Sequence, residues 1–154
     1  MEGFVWEMLR FILSFSRVNT FMGMLLLCAM CNIPTTPFER PGIYSLSCFT
    51  CNKEYVGQTG RRFELRYKEH IRYIKYNIPQ SAYALHILNN RHEYSPIHEN
   101  MTLLKPLKIT SLLSPYEHCF IQSLHKAGKL ISEQHPGPVH PLLQLAFNRS
   151  HPLS

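Results

Sequence analysis

The chain changes its hydrophobic period once between positions 42 and 76, and this change constrains the fold more than any other feature. Apolar and polar residues alternate over residues 43–46, which predicts a short strand, and residues 54–56 predict a second one. The turn-like residues 48–52 between them favour a hairpin. Gly57 and the three residues that follow break the strand pattern and offer Thr59 as a helix N-cap. Residues 61–76 contain no Gly or Pro and carry apolar residues at helical spacing, which predicts a long helix.

The rest of the chain adds helices and one more strand. The remaining predicted elements are a helix over residues 79–90, a polar loop over 92–100, a strand over 101–109 and a helix from 114 to about 126. Pro106 makes that strand an edge strand, and Gly128 is a C-cap for the last helix. The order of elements predicts an α+β domain with a small mixed or antiparallel three-stranded sheet flanked by helices.

The ends of the chain differ from this central part. The chain has 154 residues, 45% hydrophobic and 17% charged, which suits one folded domain. We expect residues 1–37 to be an apolar extension with a Pro-rich linker, residues 38–147 to be the domain, and residues 148–154 to be a tail. The apolar run over residues 21–31 is too short to span a bilayer. Residues 1–31 are therefore predicted to be an amphipathic extension rather than a membrane anchor.

The net charge and the cysteines indicate two kinds of partner. A net charge of +6 and a pI near 9.2 suit a nucleic-acid partner, although many proteins without one share that balance. Cys48 and Cys51, with His86 and His92, are a plausible Cys₂His₂ zinc set. The alternative is a pair of hairpin thiols and two surface histidines. The other Cys-x-x-Cys pair, at residues 28 and 31, lies in an apolar run and is predicted to be buried.

An ordered set of residues carries a family resemblance. The sequence reads Gly-Ile-Tyr at residues 42–44 and Tyr-Val-Gly at residues 55–57; Arg66, His70 and Glu117 follow downstream. The set, which spans residues 41–120, resembles the paired motif, first helix and metal-binding acid of the GIY-YIG endonuclease superfamily. The stretches CNKEYVGQTGR and RYKEHIRYIK are similar to the endonuclease domain of Penelope-like retroelements.

The resemblance implies a metal-dependent DNA endonuclease that nicks by hydrolysing a phosphodiester. It assigns Tyr44, Tyr55, Arg66, His70 and Glu117 to catalysis, with Tyr44 as general base and Glu117 as the ligand of Mg²⁺ or Mn²⁺. It also implies the structural Zn²⁺ set, an upstream reverse transcriptase in a longer product and an intracellular, nuclear location. No small-molecule cofactor is expected, and a membrane is not an expected partner.

The residue chemistry agrees with these roles. Arg66 can give two donors to a phosphate, and it shares a helix face with His70 four residues later. Glu117 is a hard oxygen ligand suited to Mg²⁺. A general base at Tyr44 requires a pKa lowered from the usual tyrosine value of about 10.

Each residue also has an ordinary structural interpretation. The tyrosines can be strand aromatics, Arg66 can be a solvated helix residue, and Ser114 with Glu117 can form a capping box. The family also carries an asparagine near the C-terminal end of the domain. His140 stands at that position here, and Asn148 lies outside the expected setting. An inactive, zinc-stabilised nucleic-acid-binding remnant of an element is therefore the alternative function.

Overall fold

The hairpin predicted from the alternation is present, and both strands extend further than the pattern indicated. In this computed structural model, which describes residues 40–139, strand β1 spans Gly42–Ser47 and strand β2 spans Glu54–Thr59. The prediction that Gly57 breaks the second strand is wrong, because Gly57 pairs with Tyr44 inside the sheet. A Cβ at position 57 would overlap the ring and hydroxyl of Tyr44. The glycine therefore allows close approach within the sheet.

The other elements follow the predicted order with shifted ends. They are α1 (Phe63–Lys75), α2 (Ala82–Asn90), a short helix α3 (Ile97–Asn100), β3 (Met101–Pro106), a 3-10 turn (Thr110–Leu112) and α4 (Leu113–Lys126). Thr59 does not cap α1: its hydroxyl accepts from the backbone N–H of Arg61 at 3.1 Å and closes a turn instead. The loop expected over residues 92–100 contains α3, one turn that is too short for sequence periodicity to reveal.

The three strands form one antiparallel sheet in the order β2-β1-β3, so the predicted three-stranded α+β architecture is confirmed. Strand β3 is an edge strand and ends at Pro106, as the missing N–H of proline requires. The outer edge of β2 is partly covered by the chain after α4. There the N–H of Glu54 donates to Lys129 O, and the N–H of Ile131 donates to Glu54 O.

The core lies between the sheet and the helices, with β1 at its centre. Its buried members are Tyr44, Leu46, Cys48, Tyr55, Phe63, Tyr83, Ile87, Met101 and Ile131. Several of these carry polar atoms, and a buried polar atom needs a partner. The polar groups in this core are therefore fixed by hydrogen bonds.

Several predictions fall outside residues 40–139. They are the extension over residues 1–31, the cysteines at 28 and 31, the tail, His140 and Asn148. Among the residues that the structure describes, no helix has the length and apolar character needed to span a membrane.

Candidate active site and metal cluster

Tyr44 stands at the centre of the tyrosine-lined site. Its side chain has no exposed surface, and Tyr55 on the neighbouring strand is only 8% exposed. The two rings lie 6.3 Å apart between centroids. The prediction that the hairpin carries both tyrosines on paired strands is confirmed by the register.

His70 continues the polar chain from Tyr44 into the helical layer. Its Nε2 lies 2.8 Å from the Tyr44 hydroxyl, and its Nδ1 lies 2.8 Å from Ser81 Oγ. Ser81 also caps α2 by accepting from the N–H of Ala84, which is why α2 begins at Ala82 rather than near residue 79. Burial lowers the pKa of His70 to about 3, and the charge of Arg66 acts in the same direction. The imidazole is therefore neutral at physiological pH.

Arg66 lies one helical turn before His70, on the same face of α1. Its Nε donates to the Tyr44 hydroxyl at 3.2 Å, and one of its terminal nitrogens donates to Glu69 at 2.7 Å. Glu69 also accepts from Arg61 at 2.6 Å. Arg66 is therefore held at the tyrosine by a carboxylate on its own helix.

Glu117 approaches the same site from α4. The side chain of Gln58 on β2 lies close enough to lower the pKa of the Glu117 carboxyl group. Burial raises the pKa of Glu117 to about 7, although the charge of Arg66 opposes that rise. A bound cation would stabilise the ionised form of this half-buried carboxyl group, because the charge of Arg66 offsets only part of the cost of burial.

The capping box offered by Ser114 and Glu117 is not formed. Helix α4 begins one residue earlier than predicted, at Leu113, and its N-cap residue Leu112 makes no side-chain cap hydrogen bond. Ser114 therefore lies inside the helix and is not its N-cap residue.

The expected lowering of the Tyr44 pKa is not found. Burial, and then the neighbouring Tyr55, raise the pKa of Tyr44 well above the usual 10, and Arg66 offsets only part of this. Burial likewise raises the pKa of Tyr55. Both tyrosines are thus neutral phenols in this state, because one guanidinium does not outweigh the loss of hydration.

All five residues predicted to be catalytic meet at one place, and they come from four different elements. Tyr44, Tyr55, Arg66 and His70 are linked by hydrogen bonds or ring contacts. Glu117 is close enough to influence the pKa of both tyrosines. Sequence reasoning missed Gln58, Glu69 and Ser81. Only Glu69 left a signal, its i,i+3 spacing from Arg66.

The predicted cysteine–histidine set is also brought together. Cys48, Cys51, His86 and His92 place one ligand atom each within 4.8 Å of the other three. Cys48 Sγ lies 3.3 Å from His92 Nδ1, Cys51 Sγ lies 3.4 Å from His86 Nε2, and the two ring nitrogens are 3.1 Å apart. The four residues are therefore positioned to hold a metal ion.

These distances fit a zinc tetrahedron. Zinc bonds of about 2.0 Å to nitrogen and 2.3 Å to sulfur imply ligand–ligand edges of roughly 3.3–3.8 Å. Two of the three separations above lie within that range, the third lies about 0.2 Å below it, and all four ligand atoms lie within 4.8 Å of one another. The local backbone explains the convergence: Cys48 and Cys51 are on the hairpin turn, where the N–H of Asn52 donates to Cys48 O. His86 lies within α2, and His92 follows the C-terminal end of that helix.

Sequence reasoning missed the groups behind His86. Its Nδ1 lies 2.6 Å from Glu133 Oε2, and Asn90 donates to the other oxygen of that carboxylate at 2.8 Å. Glu133 is 47 residues away in sequence, so no local pattern could have indicated it.

Comparisons with known proteins give one similar solved structure. No protein-family model and no curated protein matches this chain. Among solved structures, the chain is similar to a point mutant of the catalytic domain of intron endonuclease I-TevI. The two share 20% sequence identity with a TM-score of 0.48, over 62% of this chain and 94% of the other.

Proposed function

We propose that the chain is a metal-dependent endonuclease of the GIY-YIG type that nicks DNA by hydrolysing a phosphodiester. One observation carries the proposal: Tyr44, Tyr55, Arg66, His70 and Glu117 converge from β1, β2, α1 and α4. Phosphodiester hydrolysis needs an activated water, positive charge on the phosphate and help for the leaving oxygen. This group contains residues suited to each task.

Arg66 is the phosphate-binding residue in this proposal. The guanidinium stays charged at any working pH and can present a planar pair of donors to two phosphate oxygens. Here that fork is occupied by Tyr44 and Glu69. A bound phosphate would compete with Tyr44 and Glu69 for the guanidinium of Arg66. The attraction between the phosphate and the guanidinium would replace the hydrogen bonds that are lost.

Glu117 is the residue that would hold Mg²⁺ or Mn²⁺. Mg²⁺ is bound in proteins by one or two carboxylates together with water and substrate oxygens. Glu117 supplies one half-buried carboxyl group, which ionises at a pKa of about 7. A cation bound there would supply positive charge next to the scissile group.

Tyr44 and His70 would handle the proton of the attacking water. Because the Tyr44 oxygen accepts from Arg66, its own hydrogen can be donated to Nε2 of His70, whose Nδ1 can donate to Ser81. The Tyr44 hydroxyl would accept a proton from the attacking water and, in the same step, donate its own proton to the imidazole of His70. This route avoids the free phenolate that burial disfavours, but it charges the imidazole of His70, which burial and the charge of Arg66 also disfavour.

DNA is the proposed substrate, and a Penelope-like retroelement is the proposed source of the domain. The positive net charge supports a polyanionic partner. The sequence stretches around Tyr55 and His70 support the retroelement origin, which would place a reverse transcriptase upstream in a longer, nuclear product.

We propose that Cys48, Cys51, His86 and His92 bind a structural Zn²⁺ ion. Four protein ligands close the tetrahedron, as in structural rather than catalytic zinc sites. The site joins the hairpin turn to α2, and α2 supplies the Ser81 cap that contacts His70. Zinc would therefore stabilise the layer behind the catalytic residues.

A second candidate is an inactive, zinc-stabilised nucleic-acid-binding module. The complete burial of Tyr44 and its raised pKa favour this alternative, because a base must reach water. The two functions share the zinc cluster and the net charge. They differ in whether Arg66 binds the scissile phosphate and Glu117 binds the catalytic metal ion.

A plasmid-nicking assay with purified protein and Mg²⁺ or Mn²⁺ separates these candidates. Arg66→Ala should reduce nicking about 10²–10³-fold, and Arg66→Lys should restore little, because lysine lacks the planar fork. Arg72→Ala removes an exposed charge from the same helix and is the matched control. DNA binding should outlast the loss of cutting, since phosphate contacts are spread over many basic residues.

Equal nicking by wild type and Arg66→Ala would contradict the phosphate-binding role. No nicking by wild type with either metal would favour the inactive module, and His140→Asn is then the variant that tests whether the altered family position is the cause.

A further inference from the structure

We propose that Glu133 positions His86 as a metal ligand by accepting a hydrogen bond from the far side of its ring, an inference that rests on the proposed zinc site. An imidazole has two nitrogens, and a metal on one of them requires the hydrogen on the other. His86 Nε2 faces Cys51 and His92, whereas Nδ1 faces the Glu133 carboxylate at 2.6 Å. The carboxylate thus selects the tautomer that can bind metal through Nε2.

The Glu133 carboxylate is itself held in place on both oxygens. Asn90 donates to Oε1 at 2.8 Å, and Ser132 donates to Oε2 at 3.0 Å. The side chains of His86 and Glu133 are only 4% and 12% exposed, so water competes weakly for this pair. A fixed acceptor in a largely dry setting holds the imidazole plane in one orientation.

Glu133 lies on the segment that covers the edge of β2. Ile131 donates its N–H to Glu54 O in that strand. The next residue after Glu133 forms two bonds there: Gln134 accepts from Val56 N–H at 2.9 Å and donates to Val56 O at 2.7 Å. A metal that fixes His86 therefore also fixes the segment bound beside Tyr55. Metal binding should accordingly slow hydrogen exchange at the Val56 amide, although Val56 is not a ligand.

The affinity of the chain for metal tests the role of Glu133 and does not depend on nuclease activity. The full chain, stripped of metal, would be titrated with Co²⁺ as a spectroscopic probe and then with Zn²⁺ in competition. Glu133→Gln keeps an acceptor but removes the charge, and Glu133→Ala removes both. We expect affinity to fall in that order, reaching about 10–100-fold in Glu133→Ala. Glu99→Gln removes an exposed carboxylate elsewhere and should leave affinity unchanged.

A readout of the ring separates positioning from general stability. In zinc-loaded wild type, nitrogen-15 NMR should show His86 protonated on Nδ1, and zinc should slow exchange of the Val56 amide. Both effects should weaken in Glu133→Ala, and Glu133→Gln provides the readout if the alanine variant does not fold.

Unchanged affinity and an unchanged Val56 effect in both variants would overturn the role of Glu133 while leaving the zinc site intact. Failure of wild type to bind Co²⁺ or Zn²⁺ would overturn both the zinc site and the role of Glu133.

Discussion

The cysteine–histidine cluster and the tyrosine-lined site are built on the same hairpin, yet their polar atoms are arranged in opposite ways. In the cluster, two sulfurs and two nitrogens lie within 4.8 Å of one another, with three of the pairs at 3.1–3.4 Å. In the tyrosine-lined site, the polar groups already have internal partners: Tyr44 with His70, Arg66 with Glu69. The cluster is therefore ready to bind an ion in place, whereas the other site must exchange partners to bind a phosphate and a metal.

The cysteine–histidine cluster is suited to stabilising the fold, whereas the tyrosine-lined site contains groups whose protonation can change. The cluster links the hairpin turn to α2. The tyrosine-lined site holds a carboxyl group with a pKa near 7 and a phenol whose ionisation is suppressed. Such groups cost stability in the folded state and are found where function requires them.

Zinc removal should produce the largest effect on stability. When free zinc exceeds its dissociation constant about 1,000-fold, binding adds roughly 4 kcal/mol to the free energy of unfolding. Chelation, or Cys51→Ser, should remove that contribution in urea unfolding monitored by circular dichroism. Cys119→Ala is the control, because Cys119 is buried in α4 and does not belong to the cluster. Full stability after chelation, with no stoichiometric zinc, would contradict the metal assignment.

Replacing Glu117 should stabilise the protein at high pH, the opposite of a normal loss of contacts. The folded-state pKa is about 7, above the usual 4.5, so the neutral form is favoured on folding. Its stabilising contribution is present below pH 4.5 and is lost as pH rises through 7. Glu117→Gln stays neutral, and its advantage over wild type should grow by about 3 kcal/mol between pH 4 and pH 8.

The Glu117 measurement requires zinc-containing, magnesium-free buffer. Glu69→Gln is the comparison variant, for which we expect the opposite dependence of stability on pH. Burial by itself would raise the pKa of Glu69. The hydrogen bonds from Arg66 and Arg61 outweigh that effect, so the pKa lies below its usual value. Glu69→Gln should therefore lose stability relative to wild type as pH rises towards about 4.5, and the difference should stay constant above that pH. If both variants follow the same pH dependence, the contrast between these two carboxylates is wrong.

Gly57→Ala should have the next largest effect on stability. The new methyl group would overlap the Tyr44 ring and lie 2.9 Å from the Tyr55 ring. We expect a loss of about 2 kcal/mol from overpacking. Gly60→Ala is the matched control, since a Cβ there meets nothing within 4 Å. Equal thermal melting of the two variants would show that the close approach at Gly57 is not required.

The sequence predicted the architecture because it depends on local signals. The alternation around Tyr44 and the uninterrupted helix after Gly60 are both short-range patterns, and Pro106 fixed the edge strand. Helix ends were less well predicted: α2 begins after Ser81, whose hydroxyl accepts from the N–H of Ala84, and the spacing of the apolar residues did not reveal this cap. The protonation states could not be predicted, because burial is a property of the folded chain. The family resemblance located residues that local patterns alone leave ambiguous, Glu117 above all.

The rate of plasmid nicking by Glu117→Gln, compared with wild type from pH 6 to pH 9 in Mg²⁺, tests the central claim most directly. Glutamine keeps hydrogen-bonding ability but loses the charge that binds a cation. We expect wild-type nicking to rise with pH through about 7, as Glu117 ionises, and the variant to be at least about 10²-fold slower throughout while remaining folded. Equal rates and equal pH profiles would show that Glu117 is not the metal ligand and would contradict the proposed endonuclease site.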